Sequence, residues 1–108
     1  MTYSLEPARV LDALGDPTRR RVLELLREGP RAVVDIAAQM PVTRPAVSQH
    51  LRVLKEASLV SERTQGTRHL YSINAEGLGA LRAYLETYWD ATLAAFTVHA
   101  EQGEGGDR

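Results

Sequence analysis

The sequence contains no cysteine. That removes disulfide frameworks, thiolate metal sites and a cysteine nucleophile together. It also lacks any run of about 18 apolar residues, the length a membrane-crossing helix needs. The opening MTYSLEPARV does not follow the basic-then-apolar order of a secretory signal. These absences make the cytoplasm the expected compartment, with no membrane partner. Catalytic signatures are missing too: no G-x-S-x-G elbow, no glycine-rich phosphate loop, no convergent acid pair. Asp12, Asp16 and Asp35 read as caps or surface residues, so an enzyme is not expected. What is present is 108 residues, 44% hydrophobic and 25% charged, the composition of one ordinary globular domain.

The net charge is −1, which on its face argues against a nucleic-acid partner. Its distribution argues for one. Residues 17–73 carry ten Lys/Arg against five Asp/Glu, plus His50 and His69. Residues 1–16 and 74–108 are net acidic, with three Arg against nine acids between them. A basic middle between acidic ends suits a centre that faces DNA.

Within that middle lies Thr43–Lys55, TRPAVSQHLRVLK. Stepped at about 100° per residue, Ala46, Val47, His50, Leu51, Val53 and Leu54 share one half of a helix. Arg44, Pro45, Ser48, Gln49, Arg52 and Lys55 share the other. The second face is short, donor-rich and basic. It suits close approach to a major groove, with Ser, Gln and Arg for base edges and Arg or Lys for phosphates. Taken alone, such a helix could equally be a solvated amphipathic face.

Its neighbours decide between these. Leu5, Ala8, Leu11 and Leu14 space a first helix over 5–14, closed by Gly15. Asp16-Pro17 starts a second, with Val22, Leu23, Leu25 and Leu26 inward and Gly29-Pro30 ending it. The run Arg19-Arg20-Arg21 reads as a solvated face or a phosphate contact. Residues 31–33 form a short strand and 34–40 a short helix. Pro41-Val42 breaks that helix, and Thr43 caps the next after a turn of about three residues, giving the helix-turn-helix pattern.

LVSERT (59–64) and RHLYSI (68–73) alternate around Gln65-Gly66-Thr67 as a β-hairpin. Leu59, Leu70, Ile73 and Val60 are its candidate core residues. A basic hairpin after a helix-turn-helix is a wing, able to follow the backbone or enter the minor groove. Asn74 then caps a helix from Ala75 to about Ala100, roughly 38 Å long. Leu78, Leu81, Leu85, Tyr88, Trp89, Leu93 and Phe96 share one face of it. That is more apolar surface than so small a domain can cover alone, which predicts a second subunit. Residues 1–102 form the expected domain, and GEGGDR (103–108) is expected to be a disordered tail.

Three stretches resemble the ArsR family of bacterial winged-helix transcriptional repressors: LGDPTRRRVLELL, VVDIAAQMPVTRPAVSQHLRVLKEASLV and SERTQGTRHLYSIN. The similarity covers residues 7 to about 96. It rests on DPTRRR, on S-x-H-L-x-x-L (Ser48, His50, Leu51, Leu54) and on Gly66 to Tyr71 of the wing. It implies a homodimer built from the first and last helices, bound to a partly palindromic operator and often repressing its own operon. It does not imply a metal. The arsenic- and cadmium-type sites of that family need Cys in or near 34–40. The zinc- and nickel-type sites need Asp/His pairs on the last helix, which here offers Asp90, His99 and several Glu without a suitable His spacing.

The expected fold is therefore mostly α with a small β-hairpin, a winged helix-turn-helix that dimerises through its first and last helices. The expected function is sequence-specific binding of double-stranded operator DNA as a homodimeric repressor. The recognition helix would contribute Thr43, Arg44, Pro45, Ser48, Gln49, His50, Arg52 and Lys55. The wing would contribute Arg63, Gln65, Thr67, Arg68 and His69. Dimerisation would use Leu5, Leu11, Leu81, Leu85, Tyr88, Trp89, Leu93 and Phe96. No metal and no cofactor are expected, and an effector of unidentified chemistry stays open. Two alternatives stand beside this: a winged helix that binds protein, and a repressor that senses a small molecule at the dimer interface near Tyr84, Tyr88 and Trp89.

Overall fold

Five helices and three short strands succeed one another in the computed structural model, which describes the backbone of residues 7–107 and the side chains of residues 7–97. The helices are α1 Pro7–Leu14, α2 Pro17–Leu26, α3 Val33–Ala37, α4 Arg44–Glu56 and α5 Ala75–Asp107. The strands are β1 Arg31–Ala32, β2 Val60–Gln65 and β3 Arg68–Ile73. They form one antiparallel sheet in the order β1-β3-β2. The expected winged helix-turn-helix order is the observed one.

The core is one cluster fed by every helix of the first half and by the base of the hairpin. Val10, Ala13, Val22, Leu25, Leu26, Ile36, Val47, Leu51, Leu54, Ala57, Leu59 and Val60 are buried in it. Tyr71, Ile73 and Leu81 pack against it, half-buried. In α1 the buried pair is Val10 and Ala13, while Leu11 stays exposed. This helix is apolar on two sides, and its smaller side chains are the ones turned inward. Leu5 lies outside the described residues.

Helix ends differ from the sequence reading where tertiary hydrogen bonds intervene. α3 stops at Ala37 instead of running to Met40. Gln39 and Met40 each donate three residues back, to Ile36 and Ala37, so the chain tightens. Pro41 disfavours a helical residue before it, which explains the tightening. The turn to α4 therefore spans 38–43 and is longer than expected. The strands of the hairpin pair from Val60↔Ile73 to Gln65↔Arg68, one residue later in β2 than expected. Gly66 alone turns the corner at positive φ, 65°, as the first position of a type II′ turn requires. α5 continues through Asp107, past the expected end near Ala100 and into the stretch read as a tail; Arg108 lies outside the described residues.

The arginine run at the start of α2 has a structural role that the sequence did not disclose. Arg19 donates from Nε to the carbonyl of Ala13 at 2.6 Å and from Nη2 to that of Asp12 at 3.2 Å. Arg20 donates to the carbonyl of Leu14 at 2.7 Å. These carbonyls lie at the C-terminus of α1, where, among the described residues, only that of Asp12 also accepts a backbone N–H, from Gly15 at 3.1 Å, and the negative end of the dipole favours a cation there. The two-residue link Gly15-Asp16 brings the end of α1 beside the start of α2. Arg31 treats the end of α2 in the same way, donating to the carbonyl of Leu25 at 2.9 Å.

Arg19→Ala should cost about 1–2 kcal/mol of folding stability, since two carbonyls lose a charged donor. Urea unfolding of both proteins measures this. An unchanged midpoint would show that water replaces the guanidinium without loss.

Candidate nucleic-acid interface

α4 begins where Thr43 Oγ1 accepts the backbone N–H of Ala46 at 3.2 Å, with Pro45 in the first turn. Val47, Leu51 and Leu54 anchor its inner side. Thr43, Arg44, Pro45, Ser48, Gln49, Arg52 and Lys55 are exposed. His50 departs from this group. It is half-buried, and its Nδ1 lies 3.8 Å from the carboxylate of Asp16. Asp16 also caps α2, accepting the N–H of Arg19 at 3.0 Å. That backbone hydrogen bond, ahead of the charges of Arg19 and His50, holds the Asp16 carboxyl below its ordinary value. His50 thus joins the recognition helix to the start of α2.

The recognition helix ends in a left-handed step. Ser58 has φ 59°. Its N–H donates to the carbonyl of Lys55, and the N–H of Leu59 reaches back to that of Leu54, each at 2.9 Å. This is a Schellman closure with Ser in the place usually taken by Gly, and the buried Leu54 and Leu59 supply its apolar contact.

The wing carries Arg63, Gln65, Thr67, Arg68 and His69, all exposed. Several of these side chains, and Lys55 and Arg52 of α4, are already engaged. Glu62, on β2, accepts Lys55 Nζ at 3.0 Å on one oxygen and His69 Nδ1 at 2.7 Å on the other. Arg68 pairs with Asp35 of α3 at 2.9 Å, and Arg52 lies 3.7 Å from Glu56. Among the described residues, no carboxylate is within salt-bridge distance of Arg44 or Arg63.

Sequence reasoning missed Glu62, Asp35 and Tyr71. Lys55 and Glu62 are seven residues apart on either side of a turn, so neither helical nor strand periodicity relates them. Tyr71 faces Glu62 across the hairpin. Burial, then the Glu62 charge, pushes the Tyr71 hydroxyl above its ordinary value.

The face expected to pair with a second subunit is open in the single chain. Leu11, Leu85, Tyr88, Trp89, Leu93 and Phe96 are exposed, Phe96 by 68%, while Leu81 is half-buried. Leu78, Leu81, Leu85, Tyr88, Trp89 and Thr92 line a shallow apolar concavity along α5. Tyr84 and Tyr88 meet edge to face, their hydroxyls 3.0 Å apart. No group of three or more metal-ligating side chains occurs among the described residues, and no helix there is long and apolar enough to cross a membrane.

Residues 16–62 match the family described as bacterial regulatory proteins of the arsR type. The chain is 49% identical over 96 residues to the HTH-type transcriptional regulator Rv2034 of Mycobacterium tuberculosis, covering 89% of this chain and 90% of that one. It is 40% identical over 65 residues to the transcriptional repressor SdpR of Bacillus subtilis, covering 60% and 72%. Its fold matches the homodimeric winged helix-turn-helix DNA-binding domain Mb0332 of Mycobacterium bovis, described as a possible ArsR-family regulator, with TM-score 0.63 at 37% identity, covering 77% of each chain.

The Lys55–Glu62 contact has a definite pH signature. The hydrogen bond from Lys55, followed by its charge and by His69, holds the Glu62 carboxyl below its ordinary 4.5. The same bond raises the Lys55 ammonium above 10.5. Its contribution to stability is therefore complete between those values. It fades as the pH falls through the depressed Glu62 value, and again as it rises through the raised Lys55 value. Thermal melts of wild type and Glu62→Gln at stepped pH should diverge near neutrality and converge at low pH. A difference independent of pH would show that the pair is screened to nothing.

Proposed function

This chain belongs to the ArsR family of bacterial regulatory proteins, and from that premise we propose that it is a homodimeric repressor whose α4 reads an inverted-repeat operator while the hairpin holds the flanking DNA. It is a winged helix-turn-helix transcriptional regulator and not an enzyme. The observation that carries the site assignment is the outward face of α4. It bears short polar side chains and arginines, anchored by a buried Val47-Leu51-Leu54 stripe, with Arg44 free of any described carboxylate within salt-bridge distance.

Arg44 and Arg52 match guanine, and Gln49 matches adenine, by their paired donors and acceptors. Thr43, Pro45 and Ser48 are small enough to let the helix approach the groove floor. Lys55 lies at the wing side of the helix, positioned for phosphate. His50 supports the helix from beneath. In the wing, Arg63 is the cation without a described acid partner, and Gln65, Thr67, Arg68 and His69 surround the turn. Phosphate would compete with Asp35 for Arg68 and with Glu62 for His69.

The dimer would form on Leu11 of α1 and Leu81, Leu85, Tyr88, Trp89, Leu93 and Phe96 of α5, with residues 1–102 as the working domain. Exposed aromatic and aliphatic side chains in one stripe are what a second copy would bury. A protein-binding use of α4 would need apolar groups on its outer face, and that face has none beyond Pro45.

Footprinting on the DNA upstream of its own gene, with excess unrelated DNA present, should protect an inverted repeat. Absence of protection at any site would overturn autoregulation through that region. On the protected operator, Arg44→Ala should cost roughly 1–3 kcal/mol and relax specificity at one base pair. Arg63→Ala should weaken operator and unrelated DNA alike and lower the salt slope by about one. Equal loss on every sequence for both variants would remove Arg44 from base reading.

A further inference from the structure

α4 and α5 meet at one point where nothing larger than a glycine fits. The N–H of Gly77, in the first turn of α5, donates to the carbonyl of Ser58 at 2.8 Å. The N–H of Asn74 donates to the carbonyl of Leu59 at 2.9 Å, and the Asn74 side chain accepts the N–H of Glu76 at 2.9 Å. A β-carbon on Gly77 would lie 2.6 Å from the Ser58 oxygen and 2.8 Å from the Ala57 oxygen. Both obstacles are main chain, so no side chain can swing aside. Ordinary contact begins near 3.4 Å, so α5 would have to retreat by about 0.8 Å or the 57–58 backbone would have to turn. That backbone is itself constrained, because Ser58 holds φ 59° to close α4.

Gly79, two residues on, provides a contrast. A β-carbon there meets nothing within 4 Å. The requirement for glycine is therefore local to the joint and is not a general property of the start of α5.

We propose that Gly77 and Ser58 are positioning residues for operator recognition: their backbone contact fixes the angle of the recognition helix to the dimer helix, and so the distance between the two recognition helices of a dimer. This rests on the reading of the chain as an operator-binding homodimer. A two-fold dimer presents its recognition helices to half-sites at a set separation along the duplex. Any rotation of α4 about the end of α5 appears twice in that separation, once per subunit. The joint therefore selects half-site spacing, while Arg44, Gln49 and Arg52 select bases.

The absence of native cysteine makes the distance directly measurable. A nitroxide on Glu56→Cys, an exposed position late in α4, reports one inter-subunit distance in the full-length dimer without DNA. In that background Gly79→Ala should leave the distribution unchanged. Gly77→Ala should shift or broaden it beyond the wild-type width. On DNA, inserting one base pair between half-sites should penalise the unlabelled wild type about tenfold, and unlabelled Gly77→Ala should lose most of that discrimination while keeping its affinity for unrelated sequence.

If Gly77→Ala alone does not fold, the double variant with Ser58→Gly gives the loop carbonyls room to yield, and the same displacement is expected. A folded variant with the wild-type distance would overturn the inference. So would a displaced distance accompanied by unaltered spacing preference. If the wild type selects no operator, the functional reading fails while the distance measurement still judges the joint. A monomeric wild type, giving no inter-subunit distance, would overturn both.

Discussion

The contact between Ser58 and Gly77 is the constraint at the joint between the core and the last helix, where a β-carbon would lie 2.6 Å from a main-chain oxygen. On one side of it lie the core, the recognition helix and the wing. On the other lies a 33-residue helix that extends away from that core. Side chains also cross between the two parts: Leu81 packs on the core, and α1 lies along α5 while touching α2 and α4. Two main-chain hydrogen bonds, from Asn74 to Leu59 and from Gly77 to Ser58, complete the joint. Two of the N–H groups at the start of α5, those of Gly77 and Glu76, are satisfied by the carbonyl of Ser58 and the side chain of Asn74. A left-handed Ser costs on the order of 1 kcal/mol, and the closure it makes accounts for the strain.

A second organising feature is the use of arginine. Arg19, Arg20 and Arg31 donate to helix carbonyls and so hold the first two helices to their neighbours. Arg9 reaches the Glu56 carbonyl at 3.4 Å, tying α1 to the end of the recognition helix. These four side chains act on backbone dipoles within the protein. Three of them, Arg19, Arg20 and Arg31, fall within residues 17–73, so part of that stretch's positive charge is directed at the protein's own backbone.

The elements legible in the sequence were those with local causes. Asp16-Pro17 and Thr43 with Pro45 cap their helices as read, and the alternation of 68–73 gives β3 its limits. The outward face of α4 follows from periodicity because its inner stripe is continuous. What escaped was non-local. His50 lay on the inner half of the helical wheel, but its approach to Asp16 at the start of α2 was not legible. Helical spacing in α1 picked out Leu11 and passed over Val10, whereas docking buries Val10 and leaves Leu11 exposed. The closure at Ser58 carried no glycine to announce it. Glu62 and Asp35 looked like ordinary surface acids because their partners lie on other elements.

Those two acids bear on how such a protein would search a chromosome. On the proposed reading, Lys55 and Arg68 bring their own counter-charges, so random duplex would meet a face less adhesive than its composition implies. Each phosphate contact at these positions would come from exchanging one partner for another, with little charge newly neutralised. Full engagement would then favour a site where the recognition helix already fits and the exchange proceeds at several positions at once. With about a million or more competing positions in a genome, weaker retention on each shortens the time lost between them. The acids would lower affinity everywhere and so raise the fraction of molecules free to reach the correct site.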